Sequence, residues 1–144
     1  VFNLERLKMG IKPFVWLLEE VMIRTIADLG VTGTRNDINH GIWVGKQKVG
    51  SIGLAVKQQI TMHGFALNID MDLKPFSWIH PCGLKNTSIS SIKEELLRSG
   101  RNEIDLCFND VKQLLLGHLK LLFKAELIFE DSNKKQIHTQ TGVA

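Results

Sequence analysis

Cys82 has a side chain suited to act as a nucleophile, and Lys48 has one suited to activate it. Cys82 lies between Pro81 and Gly83 in the stretch WIHPCGLKN, at a sharp turn that follows an apolar run. A thiolate is an effective nucleophile, and a nearby cation favours the thiolate over the thiol. Lys48 begins the glycine-punctuated stretch KVGSIG, and it is the cation that we expect beside Cys82. Spacing alone does not distinguish such a pair from a cysteine that only packs as a small hydrophobic residue.

Other titratable residues fit known site patterns less well. Zinc sites bring their ligands in close pairs such as CxxC or HxxxH. His63 lies far along the sequence from His80 and Cys82, so no metal site is predicted. Asp70 and Asp72 follow a predicted strand, and we interpret them as its solvated end rather than as an acid–base pair.

The composition is that of one globular domain. The chain has 144 residues, of which 44% are hydrophobic and 23% charged, enough to bury a core. Its net charge of +3 comes from 18 basic and 15 acidic residues. The basic side chains are scattered, which does not predict nucleic-acid binding, although a mildly basic surface could steer an acidic protein partner. No stretch approaches the roughly 20 apolar residues of a membrane span.

The sequence has no nucleotide-binding loop, and its two cysteines lie in different settings. The sequence lacks the GxxxxGK(S/T) loop that cradles nucleotide phosphates. A transfer reaction would therefore take its driving force from a substrate that is already activated. The second cysteine, Cys107, lies in an apolar helical repeat. Two cysteines in such different settings indicate a reducing compartment rather than a disulfide framework.

Apolar residues recur at helical spacing in two long segments. The first predicts a helix over 13–29, with Pro13 at the first helical position and Gly30 as the stop. The second, which starts at Asn102, predicts the longest helix, over 103–123. Four residues of these helices are expected to be nearly buried: Val21, Cys107, Leu115 and Leu119.

Shorter elements fill the remaining sequence. VFNLERL is predicted to be extended, and 31–40 to be a loop. GIWVGKQKVGSIGLAV predicts two strands around a turn at residues 45–47, and QITMHGFALNID a third strand. PFSWI predicts one helical turn, a capping box of Ser91 and Glu94 predicts a helix to about Arg98, and AELIF predicts a last strand. The order β-α-β-β-β-α-α-β indicates an α+β domain with a mixed or antiparallel sheet.

Glycines interrupt the predicted strands at positions 45, 50, 53 and 64. Glycine weakens a strand interior and often marks a place where a ligand or another backbone comes close. The cluster of Gly50, Gly53 and Gly64 therefore predicts a close approach of this kind.

Four segments in order resemble the lipoyl(octanoyl) transferases, the B-type lipoate-protein ligases. Their pattern includes G-V/I-W-V/L, then K-I/V-x-x-I/L-G, T-x-H-G-x-A/L-L-N and F-x-x-I-x-P-C-G. The matching stretches here are GIWV, KVGSIG, TMHGFALN and FSWIHPCG, and the likeness extends over residues 1–130. The resemblance implies the α+β catalytic fold of biotin and lipoate ligases and transferases, lacking its N-terminal part. It assigns 1–130 to the C-terminal portion of a single catalytic domain and leaves 131–144 as a polar tail, which we expect to be disordered.

The resemblance also implies roles for individual residues. Cys82 matches the nucleophile that forms an acyl thioester, and Lys48 matches the lysine that activates it and moves the proton. Gly83 follows the nucleophile and is a plausible oxyanion donor. The positions that match the lining of the acyl substrate, with a motif histidine beside it, are Ser51, Ile52, Gly53, His63, Gly64, Phe65 and Ala66.

The implied reaction transfers octanoyl (or lipoyl) from acyl carrier protein to a lysine of lipoyl domains, as a step of protein lipoylation. The donor carries the acyl group on phosphopantetheine, and no cofactor or ATP is expected. The expected acceptors are the lipoyl domains of 2-oxoacid dehydrogenase complexes and the glycine cleavage H protein, with no nucleic acid or membrane partner. KAELIFEDSN resembles animal members, which predicts mitochondria; a bacterial source would predict the cytoplasm.

One family segment is absent from this sequence. The family has R-G-G-x-x-T-Y/F-H-G-P-G-Q upstream of the position that matches Val1, where it forms much of the substrate pocket. The resemblance therefore leaves two alternatives: an N-terminally incomplete transferase, or an inactive truncated homologue that acts as a structural or carrier-protein-binding subunit. An ATP-dependent lipoate or biotin ligase is disfavoured, because those relatives work through an acyl-adenylate and do not need the cysteine of P-C-G.

Overall fold

The computed structural model describes residues 1–37, 39–78, 88–101 and 105–124. Its elements follow the chain in this order: α1 (Ile11–Asp28), β1 (Gly41–Val44), β2 (Gln47–Lys57), β3 (Ile60–Leu67), a 3-10 helix (Lys74–Trp78), β4 (Ser88–Ile89), α2 (Ile92–Arg98) and α3 (Phe108–Phe123). The predicted α+β class is confirmed. In this part of the chain no helix has both the length and the apolar character that crossing a membrane requires.

The strands form one mixed sheet around β2. β1 and β3 each pair with β2 in antiparallel orientation, as the alternation and turn residues predict. β4 pairs in parallel with the start of β2, through Gln47 with Ser88 and Lys48 with Ile89. The sequence did not predict β4, because two residues are too short to show a strand period.

Helix α1 packs on this sheet through the apolar stripe that its sequence predicts. Val21, Met22 and Ile26 are completely buried. The helix ends as predicted, since Gly30 has φ +86 and its N–H donates to the Ala27 carbonyl, which is part of a Schellman motif. Its predicted start was wrong by two residues: Gly10 is the N-cap and the helix begins at Ile11.

A cluster of aromatic rings joins the beginning of the chain to α1 and α3. The ring of Phe2 lies 5.3 Å from that of Phe14 and 4.9 Å from that of Phe123, and the last two are 5.3 Å apart. Such contacts add to the burial of apolar area. The first seven residues, VFNLERL, were wrongly predicted to be extended. Only Asn3 bridges to Ile60, and a turn follows over residues 4–8.

Helix α3 starts later than its sequence pattern predicts. It begins at Phe108 with Cys107 as an extended N-cap residue, so the prediction of a start near Asn102 was wrong, and α1 is the longer helix. Because Cys107 lies outside the helix, it is not on the buried stripe and is exposed. Leu119 is buried as predicted, whereas Leu115 is only partly buried.

Helix α2 has the N-terminus that the capping box predicts. The Ser91 hydroxyl accepts a hydrogen bond of 3.2 Å from the backbone N–H of Glu94, and the helix ends at Arg98. The predicted strand AELIF and the polar tail lie outside the described residues, and the domain boundary at residue 130 stays a prediction.

The packing of α1 on β2 generates a stability prediction at Gly50. A Cβ atom there would lie 2.9 Å from Ile42 Cγ1 and 3.1 Å from Met22 Sδ, whereas one at Gly53 meets no atom of the described residues within 4 Å. We expect Gly50→Ala to lower the free energy of unfolding by about 1–3 kcal/mol, the usual cost of overpacking. Denaturant unfolding measures this, with Gly53→Ala as the matched control. Equal stability of the two variants would contradict this packing.

Candidate active site

Lys48 is a lysine side chain buried inside the sheet. Only 1% of the residue is exposed. Its burial follows from its place in β2, where it has Trp43 of β1 on one side and Ile89 of β4 on the other. Its carbonyl accepts a 2.9 Å hydrogen bond from the Ser90 N–H. A lysine at a strand edge would instead extend into water.

Protein groups replace the water around the Lys48 ammonium. Its Nζ donates a hydrogen bond to Oδ1 of Asn39, a residue of the loop before β1. Nζ also lies 5.6 Å from the centroid of the Trp43 ring, within the range of a cation–π interaction. These contacts compensate for the cost of burying a charge.

A strip of small residues adjoins Lys48 on the sheet; we call it the small-residue face. Residues directly opposite on neighbouring strands share a face, and alternate residues along a strand point the same way. The pairs Gly41 with Ser51, Ser51 with Ala66 and Gly53 with Gly64 therefore place five small residues on one face. A Cβ at Gly41 would lie 2.9 Å from Lys48 Cε, and one at Gly53 or Gly64 would meet none of the described residues within 4 Å. Within the described part of the chain this face is open, with the lysine at one end.

The structure divides the residues expected to line the acyl substrate between the two sides of the sheet. Ile52 and Phe65 are paired with each other and pack against both hydrophobic cores, on the opposite side from the small-residue face. His63 pairs with Leu54 and is exposed, with φ +66. Gly50, by contrast with Gly53, makes room for side chains of the core.

The predicted partner of Lys48 is Cys82. Cys82, Gly83 and His80 lie outside the described residues, so a short distance between Cys82 and Lys48 stays a prediction. Ser88 is the first described residue after Cys82, and it pairs with Gln47, the neighbour of Lys48 in β2.

Asn68, the last residue of the TMHGFALN motif, holds the segment that joins β4 to α2. Its N–H donates to the Val49 carbonyl, its carbonyl accepts from Ile92 N–H, both at 2.9 Å, and its side-chain Nδ2 donates to the Ser90 carbonyl at 2.9 Å. One asparagine thus ties β2, the end of β4 and the start of α2 together. The motif TMHGFALN predicted roles for other residues but none for this asparagine.

Glu19 of α1 supports the loop that carries Asn39. Only 4% of Glu19 is exposed, and its Oε1 accepts a 3.0 Å hydrogen bond from the Gly41 N–H. Arg35 Nε lies 3.4 Å from the other oxygen, and His40 Nδ1 lies 3.3 Å from Oε1. Sequence reasoning missed this residue, although Glu19 occurs at helical spacing from the buried Val15.

Arg35 joins the same loop to the outer side of α1. Its Nη2 is 2.6 Å from Glu20 Oε2, and its guanidinium lies 4.1 Å from the centroid of the Trp16 ring. An open cleft of about 340 Å³ lies beside this contact, lined by Trp16, Glu19 and His40 among others, and it does not include Lys48. Within the described ranges no group of three or more His, Cys, Asp or Glu side chains is arranged to hold a metal ion.

Comparison with known proteins gives a consistent family. Residues 1–120 match the model of the lipoyl protein ligase A/B catalytic domain. An octanoyltransferase of Alkaliphilus metalliredigens is 44% identical over 129 residues, 89% of this chain and 56% of the relative. An octanoyltransferase of Desulfotalea psychrophila is 46% identical over 97 residues, 66% of this chain and 44% of the relative. The chain spans about half the length of these curated relatives.

A solved structure shares the fold at lower identity. Lipoate-protein ligase A, crystallised with bound ATP, superposes with a TM-score of 0.65 and 14% identity, over 88% of this chain and 51% of the ligase. This likeness supports the ligase and transferase fold that the sequence motifs imply.

The contact between Glu20 and Arg35 generates a pH prediction. Hydrogen bonds from Arg35 and then Arg24 lower the pKa of Glu20 in the folded chain. The stabilisation is therefore present above the ordinary carboxyl pKa and is lost as pH falls through the lowered folded-state pKa. We expect the stability advantage of the wild type over Glu20→Gln to shrink between about pH 7 and pH 3, as urea unfolding would measure.

The control for this prediction is Glu5→Gln, since Glu5 is exposed. Its stability should follow that of the wild type at every pH. A stability difference between wild type and Glu20→Gln that does not change with pH would contradict the prediction.

Proposed function

The chain belongs to the family of lipoyl protein ligase A/B catalytic domains, and from that premise we propose that it transfers octanoyl (or lipoyl) groups from acyl carrier protein to a lysine of lipoyl domains. The names of its curated relatives support octanoyl transfer. The observation that carries the proposal is the buried Lys48 ammonium at one end of the open small-residue face. A buried cation suits an anionic nucleophile, and an open strip of small residues suits an alkyl chain.

The length of the intervening chain is compatible with a site shared by Lys48 and Cys82. Ser88 is six residues after Cys82 in the sequence and pairs beside Lys48 in the sheet. Six residues span at most about 20 Å, a reach that is compatible with the proposed proximity of Cys82 to Lys48. The ammonium of Lys48 would favour the thiolate form of Cys82.

In the first step the Cys82 thiolate attacks the carbonyl carbon of the octanoyl thioester. A new carbon–sulfur bond forms to Cys82, and the bond to the phosphopantetheine sulfur breaks. The leaving thiolate takes a proton from the Lys48 ammonium and departs as a thiol. Lys48 is then neutral, beside an acylated Cys82. The N–H of Gly83 is a candidate hydrogen-bond donor to the oxyanion.

In the second step the neutral amine of the acceptor lysine attacks the Cys82 thioester. An amide bond forms, Cys82 leaves as a thiolate, and the amine gives a proton to neutral Lys48. The ammonium and thiolate are restored, so the protons balance over the cycle. Conversion of a thioester to an amide is favourable, which is why we propose no ATP and no other cofactor.

The proposed partners are those that the chemistry requires. The donor is an octanoyl-acyl carrier protein, and the acceptors are lipoyl domains of 2-oxoacid dehydrogenase complexes and the glycine cleavage H protein. Ser51, Gly53, Gly64 and Ala66 would lie along the acyl chain, because the absence of large side chains leaves space there. Mitochondrial localisation stays a prediction.

The main test is acylation of Cys82. Octanoyl-acyl carrier protein should add one octanoyl group to Cys82 and none to Cys107, as intact mass and peptide mapping would show. Cys82→Ala should abolish the adduct. Lys48→Ala should slow acylation by about tenfold or more, because the cation no longer favours the thiolate. Lys48→Arg keeps the charge but is a poor proton acceptor, so acylation should recover more than transfer to the lipoyl domain.

Cys107→Ala is the matched control and should be acylated at the wild-type rate. Absence of any Cys82 adduct in the wild-type chain would overturn the proposed activity and favour a structural or carrier-binding subunit.

The small-residue face generates a test of acyl-chain length. A leucine at Gly53 has space to fold but would project into the proposed path of the acyl chain. We expect Gly53→Leu to slow acylation by octanoyl thioesters more than by acetyl thioesters. Lys57→Leu adds the same side chain at the exposed end of β2 and should leave the preference unchanged. Equal slowing for both chain lengths would place the acyl chain elsewhere.

A further inference from the structure

Asn39 is held at two points beside the buried lysine. Its backbone carbonyl accepts a 3.3 Å hydrogen bond from Nε1 of Trp43, and its side-chain Oδ1 accepts from Nζ of Lys48. The Trp43 ring in turn lies under the same ammonium, 5.6 Å from Nζ. Each of the three residues contacts the other two, so the Asn39 oxygen stays beside Lys48 as long as Trp43 is in place.

The chain just after Asn39 is fixed from α1 and from β2. Glu19 accepts the Gly41 N–H at 3.0 Å, and Arg35 offsets the charge of Glu19 from 3.4 Å. Gly41 has φ +132, and a Cβ there would lie 2.2 Å from the Gly50 carbonyl oxygen. The backbone that carries Asn39 therefore has little freedom to move away from Lys48.

The Asn39 amide oxygen is an uncharged hydrogen-bond acceptor for the Lys48 ammonium, which must lose and regain a proton in the proposed reaction. An ammonium has three donors and no acceptor, and the Asn39 oxygen accepts from one of them. A carboxylate at the same place would add a full negative charge and favour the protonated amine. A neutral amide sets the direction of Nζ without adding a full charge.

We propose that Asn39 is a positioning residue for Lys48, orienting its amine for both proton transfers while leaving it able to release the proton. This inference rests on the proposed function of Lys48. Charged or titratable groups that contact one another around this segment include Glu19 on α1 and Arg35 and His40 in the loop; α1 also carries Lys12, Glu20, Arg24 and Asp28, the loop Asp37, and β2 Lys57.

The experiment compares Asn39→Ala, Asn39→Asp and wild type in two single-turnover measurements on the whole protein. One follows acylation of Cys82 by octanoyl-acyl carrier protein, and the other follows octanoyl transfer to the lipoyl-domain lysine. Asn39→Ala should slow both steps roughly tenfold to a hundredfold, the range for losing a hydrogen bond to a charged group, with the carrier concentration that gives half the maximal rate unchanged. Asn39→Asp should keep acylation close to wild type but slow transfer and move its pH profile to higher pH.

Asn109→Ala is the control, since Asn109 is exposed on α3, and it should match the wild type in both steps. Wild-type rates in Asn39→Ala would overturn the positioning role. So would equal slowing of both steps by Asn39→Ala and Asn39→Asp in proportion to lost thermal stability, which indicates a structural role alone. A wild-type protein that forms no Cys82 adduct would overturn the proposed function itself, a result distinct from an active wild type with unaffected variants.

Discussion

The burial of one ammonium group is the constraint around which the described structure is arranged. A lysine charge removed from water is costly unless protein groups replace the solvent, and Lys48 is only 1% exposed. Asn39 and Trp43 supply that replacement. Trp43 lies beside Lys48 in the sheet, and Asn39 belongs to the loop before β1, which ends where Glu19 binds the Gly41 N–H. The helix, loop and sheet are therefore coupled through a single side chain.

The sheet gains stability on one side and keeps open space on the other. Ile52, Phe65 and Leu54 face the helices and join the hydrophobic cores. The opposite side carries glycine, serine and alanine, which weaken strands and contribute little apolar burial. A sheet can tolerate such a side when its other side is well packed, since burial of large apolar side chains is the main stabilising term. The open side is then available to a ligand at little cost to the fold.

The spacing of apolar residues predicted the helices and strands that bury an apolar stripe. It failed where the structure depends on contacts between residues that are distant in the sequence. Helix α1 around Val21 and the paired strands β2 and β3 follow directly from the spacing of apolar residues and from the turn residues. The start of α3 was misplaced, because apolar residues continue before Cys107 and periodicity does not show that the backbone is extended there. Motif spacing identified Lys48 as a candidate but not its partner Asn39, since a hydrogen bond between a loop and a strand leaves no pattern in the sequence. Glu19 could have been found, as an acidic residue within a buried helical stripe.

The proposed relay between a thiol and an amine requires that the two be held in a fixed relation, and β4, the shortest strand among the described residues, would serve this purpose. β4 has only two residues, yet it is secured from three directions. Its backbone pairs with Lys48 itself, Asn68 binds the Ser90 carbonyl directly after it, and Ser91 caps the helix that follows. Displacements of about 1 Å in a reacting pair can cost a hundredfold in rate. The asparagine of TMHGFALN thus has a physical role in the proposed mechanism, because it fixes the end of β4 and the start of α2 against the strand that carries Lys48.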